Sequence, residues 1–305
     1  MRIVFMGTPQ FAVTSLDELI TAGCDIVGVV TAPDKPAGRG KKLSQSAVKE
    51  YALAHGLKVL QPEKLKDEKF LEQLRALKAD LQVVVAFRML PEVVWNMPQR
   101  GTINLHASLL PQYRGAAPIN WVLINGEAES GVTTFFLKHD IDTGNILFTE
   151  KVTLTGRETA GELHDRLMAK GAGLLVKTVK AVESGRYSEL PQSEIAEGTE
   201  LRHAPKIFKE DGLIHWNNSI NTIYNHIRGL SPVPGAYTQL NDKTFKIYQA
   251  EKQEAEPAIL PGGFLTDNKT FLKFAAQDGF INVTDVQLEG KKRMGIEEFL
   301  RGTKL

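Results

Sequence analysis

Apolar positions in the first half of the chain alternate between short unbroken runs and longer amphipathic stretches. Residues 3–6, 26–31, 81–86 and 102–105 are continuous runs rich in Val and Ile, the signature of strands buried on both faces. Between them, Phe11, Leu16, Leu19 and Ile20 share one helical face, and Leu65, Phe70, Leu71, Leu74 and Leu77 share another. Strand–helix alternation of this kind predicts a parallel sheet with helices on both faces. Residues 132–137 and 146–154 add further strands. Residues 159–184 read as one long helix, opened by Thr159 as N-cap with Glu162 at the capping-box position. Gly171 and Gly173 count against its continuity.

The pattern then changes. Residues 188–205 are polar and aperiodic and read as a linker. A helix is expected over 219–230, followed by short strands at 236–240, 244–250, 263–266, 270–275 and 280–287. Asn241-Asp242, Pro261-Gly262-Gly263 and Asp278-Gly279 supply the turns between them. Short strands at regular spacing predict a small β-barrel. The expected fold is therefore α/β: a doubly wound, mostly parallel sheet in residues 1–187, a linker in 188–205, and a small OB-like β-barrel in 206–305.

Composition narrows the function classes. A formal net charge of +1 over 305 residues gives no global field for a polyanion, so any nucleic-acid contact must use local basic patches. The single cysteine, Cys24, excludes an intrachain disulfide and a cysteine-rich zinc site. No apolar run approaches a membrane span, and Met1 leads directly into a strand without a signal-peptide layout, so the cytoplasm is expected.

Two segments carry candidate chemistry. In Asn104-Leu105-His106-Ala107-Ser108-Leu109-Leu110-Pro111, Asn104 and His106 are two apart on a strand and project the same way as it ends. Carboxyl ends of strands form the ligand crevice of a doubly wound sheet. Two donors converging there can hold the oxyanion of an acyl transfer. An isolated Asn-x-His is more often a capped strand end with a satisfied core histidine. The second segment changes that balance: His139-Asp140-Ile141-Asp142-Thr143-Gly144 delivers carboxylates in a turn near the same sheet edge, where one could orient the imidazole or relay a proton. Spacing alone does not choose between Asp140 and Asp142.

Other motifs fail. Gly7 is followed by Thr8-Pro9-Gln10, so the dinucleotide fingerprint is absent. Gly40-Lys41-Lys42 lacks both the earlier glycine and the Ser/Thr of a phosphate-binding loop. The seven histidines show no metal-ligand spacing, and no metal is expected.

Nearly the whole chain resembles the methionyl-tRNA formyltransferase family. The likeness is carried by Met6-Gly7-Thr8-Pro9-Gln10-Phe11, by Pro33-Asp34-Lys35-Pro36-Ala37-Gly38-Arg39-Gly40-Lys41-Lys42, and by Asn104 to Pro111 with Tyr113-Arg114-Gly115-Ala116-Ala117-Pro118-Ile119. Asp142-Thr143-Gly144, His203-Ala204-Pro205-Lys206-Ile207 and Ile227-Arg228-Gly229-Leu230 extend it. The resemblance implies 10-formyltetrahydrofolate as donor and methionyl initiator tRNA as acceptor. It implies Asn104, His106 and Asp142 as catalytic residues, with Asp142 orienting His106, and Ser108, Leu109, Leu110 and Pro111 bordering the folate. Arg39, Lys41 and Lys42 would contact tRNA, and a monomer is expected. Three rivals remain at this stage: a hydrolase releasing formate, a formyltransferase with another acceptor such as a nucleotide-sugar amine, and an RNA-binding module. A hydrolase would not need the basic loop, and an RNA-binding module would not need the triad.

Overall fold

The computed structural model describes residues 1–37, 42–198 and 200–305. They form two compact units, neither contiguous in sequence. One comprises Met1–Arg114, Gly131–Val152 and His164–Arg202; the other comprises Gly115–Ser130, Thr153–Leu163 and His203–Leu305.

The first unit is built on a sheet of seven strands: Arg2–Gly7 (β1), Asp25–Val30 (β2), Val59–Leu60 (β3), Leu81–Val85 (β4), Thr102–His106 (β5), Glu129–Phe136 (β6) and Ile146–Thr153 (β7). Their order is β7-β6-β5-β4-β1-β2-β3. The chain starts in the middle, builds one side out to β3, then returns past β1 to build the other. The pairs β1–β2, β2–β3, β1–β4 and β4–β5 are parallel, and β6 runs antiparallel to β5. This is the expected doubly wound, mostly parallel sheet. The edge strand β3, with two residues, is too short to leave a periodic signal.

Alternation along the strands feeds two cores. On one face Val4, Met6, Val30 and Val84 pack with Phe70, Leu71 and Leu74 of the helix Glu68–Ala76. That helix starts where it does because the Asp67 carboxylate accepts the Phe70 N–H. On the other face lies the helix Ala160–Ser184, unbroken over 25 residues despite its two glycines. Gly171 is there for close approach: a Cβ at that position would sit 2.8 Å from Leu105 Cδ2. The capping box is formed, with the Thr159 N–H donating to Glu162 Oε2 at 2.8 Å.

Within the segment read from its pattern as a linker, the described residues make specific contacts. Leu190 exchanges both backbone hydrogen bonds with Ile146 (2.8 and 2.9 Å), residues Gln192–Ala196 form a short helix, and the Tyr113 N–H donates to the Arg202 carbonyl at 2.7 Å. Its contacts are made by backbone groups and isolated side chains, which leave no periodicity to detect.

In the second unit the strands Ala236–Leu240 (β8), Lys243–Glu254 (β9), Phe264–Thr266 (β10), Leu272–Ala275 (β11), Gly279–Leu288 (β12) and Met294–Gly295 (β13) make an antiparallel sheet. The order is β8-β9-β12-β11-β10, with β13 on β12. It is a half-barrel with β8 and β10 at the ends of the strand order, in keeping with the small barrel-like domain that the spacing of strands predicts. Register shifts around Gln249 in the β9–β12 pairing bend the sheet. The helix Ile220–Leu230 closes the core by turning Ile220, Ile223, Ile227 and Leu230 onto Phe245, Ile247, Phe274, Ile281 and Val286.

Candidate active site

Strand β5 ends on Asn104-Leu105-His106. Asn104 is in register with Val84 and Phe135, and His106 with Thr133. Alternation sends Asn104 and His106 to one face and Leu105 to the face covered by the long helix. The two side chains therefore share the carboxyl end of a parallel strand, as the sequence indicates. His106 is buried and Asn104 is half-buried.

The imidazole is held from one side. His106 Nε2 lies 2.9 Å from the Tyr113 carbonyl oxygen. A carbonyl only accepts, so Nε2 carries the hydrogen and donates it. Tyr113 reaches this position with left-handed backbone, φ 59°. The other nitrogen, Nδ1, lies 3.9 Å from Asp142 Oδ2. That is too long for a direct hydrogen bond. The ring's orientation is thus set by a backbone carbonyl, a partner that carries no side-chain signal in the sequence.

The structure separates the two aspartates. Asp140 is exposed and pairs with the exposed His139 at 3.7 Å, whereas Asp142 is turned inward to His106. The turn that achieves this is tightly specified. Asp142 has φ 53°, a conformation that Asp tolerates better than most residues. Gly144 is required because a Cβ there would lie 1.5 Å from the Phe136 carbonyl oxygen. Gln192, almost fully buried, donates both amide hydrogens into the turn, to the Asp142 and Gly144 carbonyls, each at 2.8 Å. Its own oxygen accepts from Arg114 Nε and Nη2 at 2.9 and 2.6 Å. Burial lowers the Arg114 pKa, and the nearby Asp142 charge works in the opposite direction.

Residues 108–111 form the floor beside β5. The Thr133 hydroxyl donates to the Ser108 carbonyl at 2.7 Å and lies 3.2 Å from the Leu110 N–H, whose hydrogen it accepts. The Ser108 hydroxyl is committed to the Gln112 carbonyl at 2.7 Å. Ser108, Leu110 and Pro111 are buried, Leu110 packing with Phe135 and Ile146. Of the four residues assigned to the folate border, Leu109 is the side chain with surface to offer.

Arg39 and Lys41 lie outside the described residues, and for Lys42 only the backbone is described. The strands Lys35–Ala37 and Lys42–Ser44 pair antiparallel on either side of them. At the root of this ribbon the Asp34 carboxylate accepts from Lys49 Nζ at 2.5 Å and Gln61 Nε2 at 2.8 Å. The Lys49 and Gln61 hydrogen bonds hold its pKa below the ordinary carboxylate value. Among the described residues no three His, Cys, Asp or Glu side chains gather as metal ligands.

Residues 1–179 match the formyl transferase family model, and residues 206–304 match that of the formyl transferase C-terminal domain. The chain belongs to the formyl transferase family. Within that family its relatives include the methionyl-tRNA formyltransferase of Bacteroides fragilis, 54% identical over 99% of this chain and 95% of the relative. That of Parabacteroides distasonis is 56% identical over 100% of this chain and 96% of its own length. Solved structures share the fold at low identity. The N-formyltransferase of Helicobacter canadensis, in complex with folinic acid and dTDP-3-aminofucose, gives a TM-score of 0.66 at 21% identity, covering 92% of this chain and 97% of that one. HypX of Aquifex aeolicus, in complex with tetrahydrofolic acid, gives 0.67 at 18%, covering 100% of this chain and 48% of that one. The formyl transferase fold thus accounts for both units. Among the described residues no helix is long and apolar enough to cross a membrane.

Proposed function

We propose that this protein transfers the formyl group of 10-formyltetrahydrofolate to the α-amino group of methionyl initiator tRNA and so supports translation initiation in the cytoplasm. The observation that carries the reading is the approach of His106 to Asp142, 3.9 Å apart beyond the end of β5, in a chain matched over nearly its full length by methionyl-tRNA formyltransferases.

The chemistry follows from what each group offers. The neutral amine of the esterified methionine attacks the formyl carbon, and a carbon–nitrogen bond forms as the formyl oxygen becomes an oxyanion. The Asn104 amide donates to that oxygen, and so does His106 in its imidazolium form, through Nδ1–H, because the Nε2–H is committed to the Tyr113 carbonyl. The Tyr113 carbonyl keeps the imidazole ring from turning, so its Nδ1 edge faces the reacting atoms. Asp142 takes up the proton lost by the amine, with His106 as its neighbour, and it is returned to N10 of the folate as the old carbon–nitrogen bond breaks. Leu109 and the backbone of 108–111 border the donor. Arg39, Lys41 and Lys42 contact the tRNA, Arg39 by forking onto phosphate or stacking on a base. The half-barrel unit supplies further RNA contact through local patches such as Lys291-Lys292-Arg293, and the protein acts as a monomer.

The test offers label-bearing 10-formyltetrahydrofolate and, separately, methionyl initiator tRNA, a dTDP-amino sugar, and no acceptor. The reading predicts label on the methionine α-amine in the first case alone. Formate release at equal speed without acceptor would make the protein a hydrolase, and label on the sugar alone would give it a different acceptor.

A further inference from the structure

We propose that Gln192 is a positioning residue for formyl transfer, acting with Arg114 to set the Asp142–Gly144 turn, so that the stretch after residue 188 belongs to the reaction machinery. This rests on the reading of Asp142 as a proton-handling group.

The hydrogen bonds leave little freedom. Arg114 only donates, so the Gln192 oxygen must face the guanidinium, and the amide nitrogen must face the turn. Both of its hydrogens are then spent on carbonyls two residues apart, those of Asp142 and Gly144. The first of the two clamped carbonyls belongs to Asp142, whose side chain reaches toward His106 and whose own backbone lies in the left-handed region. A turn of this kind costs energy to hold, and its alternatives would swing the carboxylate away from the ring. The clamp is itself anchored: Leu190, two residues earlier, is tied by both its backbone hydrogen bonds to Ile146, two residues beyond Gly144. Gln192 is only 2% exposed, so water does not compete for these bonds. Its place in the chain, in a polar stretch with no pattern, gives no hint of this role.

The test compares Gln192→Met, which keeps shape and loses every hydrogen bond, with wild type, in both the natural and the Asp142→Ala backgrounds. In the natural background kcat should fall roughly tenfold or more while KM for donor and acceptor tRNA stays within about threefold, as displacement of a reacting group by about 1 Å would do. In the Asp142→Ala background the same change should cost less than about twofold, because there is no carboxylate left to position. Equal losses in both backgrounds, or wild-type kcat for Gln192→Met, would overturn the proposal. Should Gln192→Met fold poorly by its melting curve, Gln192→Glu serves instead. It keeps the Arg114 contact but turns an acceptor on two carbonyls, and it should show the same background-dependent loss. Wild-type activity of Asp142→Ala alone would instead refute the reading of the site on which this inference stands.

Discussion

The end of β5 and the strap formed by residues 189–198 and 200–202 lie in the same compact unit and serve the same few ångströms of space, yet they are encoded in opposite ways. Asn104 and His106 are fixed by a regular element: the strand's period of two sets their common direction, and pairing with β4 and β6 sets their depth. The strap is fixed by single side chains reaching backbone carbonyls. Gln192 grips the aspartate turn, and the Arg202 carbonyl takes the N–H of Tyr113, whose own carbonyl holds His106. Reactive side chains can be read from a pattern, whereas the groups that hold them still are spread over segments that have none.

The largest expected effects come from removing a reactive side chain on either side of this comparison. Asn104→Ala and Asp142→Ala should each lower turnover by roughly a hundredfold, the usual loss for one group acting on the developing charge. Affinity for methionyl-tRNA should stay near wild type in both. Steady-state formylation with each substrate varied in turn checks this, and undiminished kcat in either variant removes that residue from the mechanism.

A smaller effect is expected where one hydroxyl supports the floor of the site. Thr133→Val keeps the shape of the side chain but orphans the Leu110 N–H and the Ser108 carbonyl. Leaving such buried groups unpaired costs about 1–3 kcal/mol. Thermal or urea unfolding should register the loss, and turnover should fall less than for Asp142→Ala. An unchanged midpoint would mean that the 108–111 stretch is held by packing alone.

The smallest effect tests the strap's way of working in the other unit, where pH can report it. Burial pushes the Glu158 carboxyl up, but the backbone N–H groups of Thr155 and Arg157 outweigh it and hold its pKa down at about 2. The folded state therefore binds that proton less readily than the unfolded chain. The stabilisation is complete above the ordinary carboxylate range and disappears as pH falls through it toward about 2. Glu158→Gln should melt a few degrees below wild type at neutral pH, and the gap should narrow below the ordinary carboxylate range and close as pH approaches about 2. A gap that persists in acid would show that the carboxylate's charge is not what the backbone holds.

How much of this the sequence reveals follows the same division. Strand positions from Ile3 to Phe136, the capping box at Thr159 and Glu162, and the helix over Ile220–Leu230 are periodic or capped features and are found where the pattern predicts them. The edge strand Val59–Leu60, the helix Pro118–Ile124 and the strap are short, and tertiary contacts decide them. Gly171 weakened a helix in the sequence and proves to be what lets that helix sit on Leu105. In the site, Asp140 and Asp142 are equal by spacing, and only the turn's geometry turns Asp142 to the histidine. Thr133 and Gln192 act through a hydroxyl and an amide that carry no charge or motif, and Tyr113, though it lies in a stretch of the family likeness, acts through its backbone carbonyl.

The central claim is that His106, held at the strand end by the Tyr113 carbonyl, takes part in the chemical step and not in binding. A single-turnover measurement tests it: enzyme saturated with labelled 10-formyltetrahydrofolate and methionyl initiator tRNA, with label on the methionine followed in time for wild type and His106→Ala. The account predicts equal occupancy of both substrates and a transfer rate lower by roughly a hundredfold or more in the variant. Equal rates in the two proteins would contradict it.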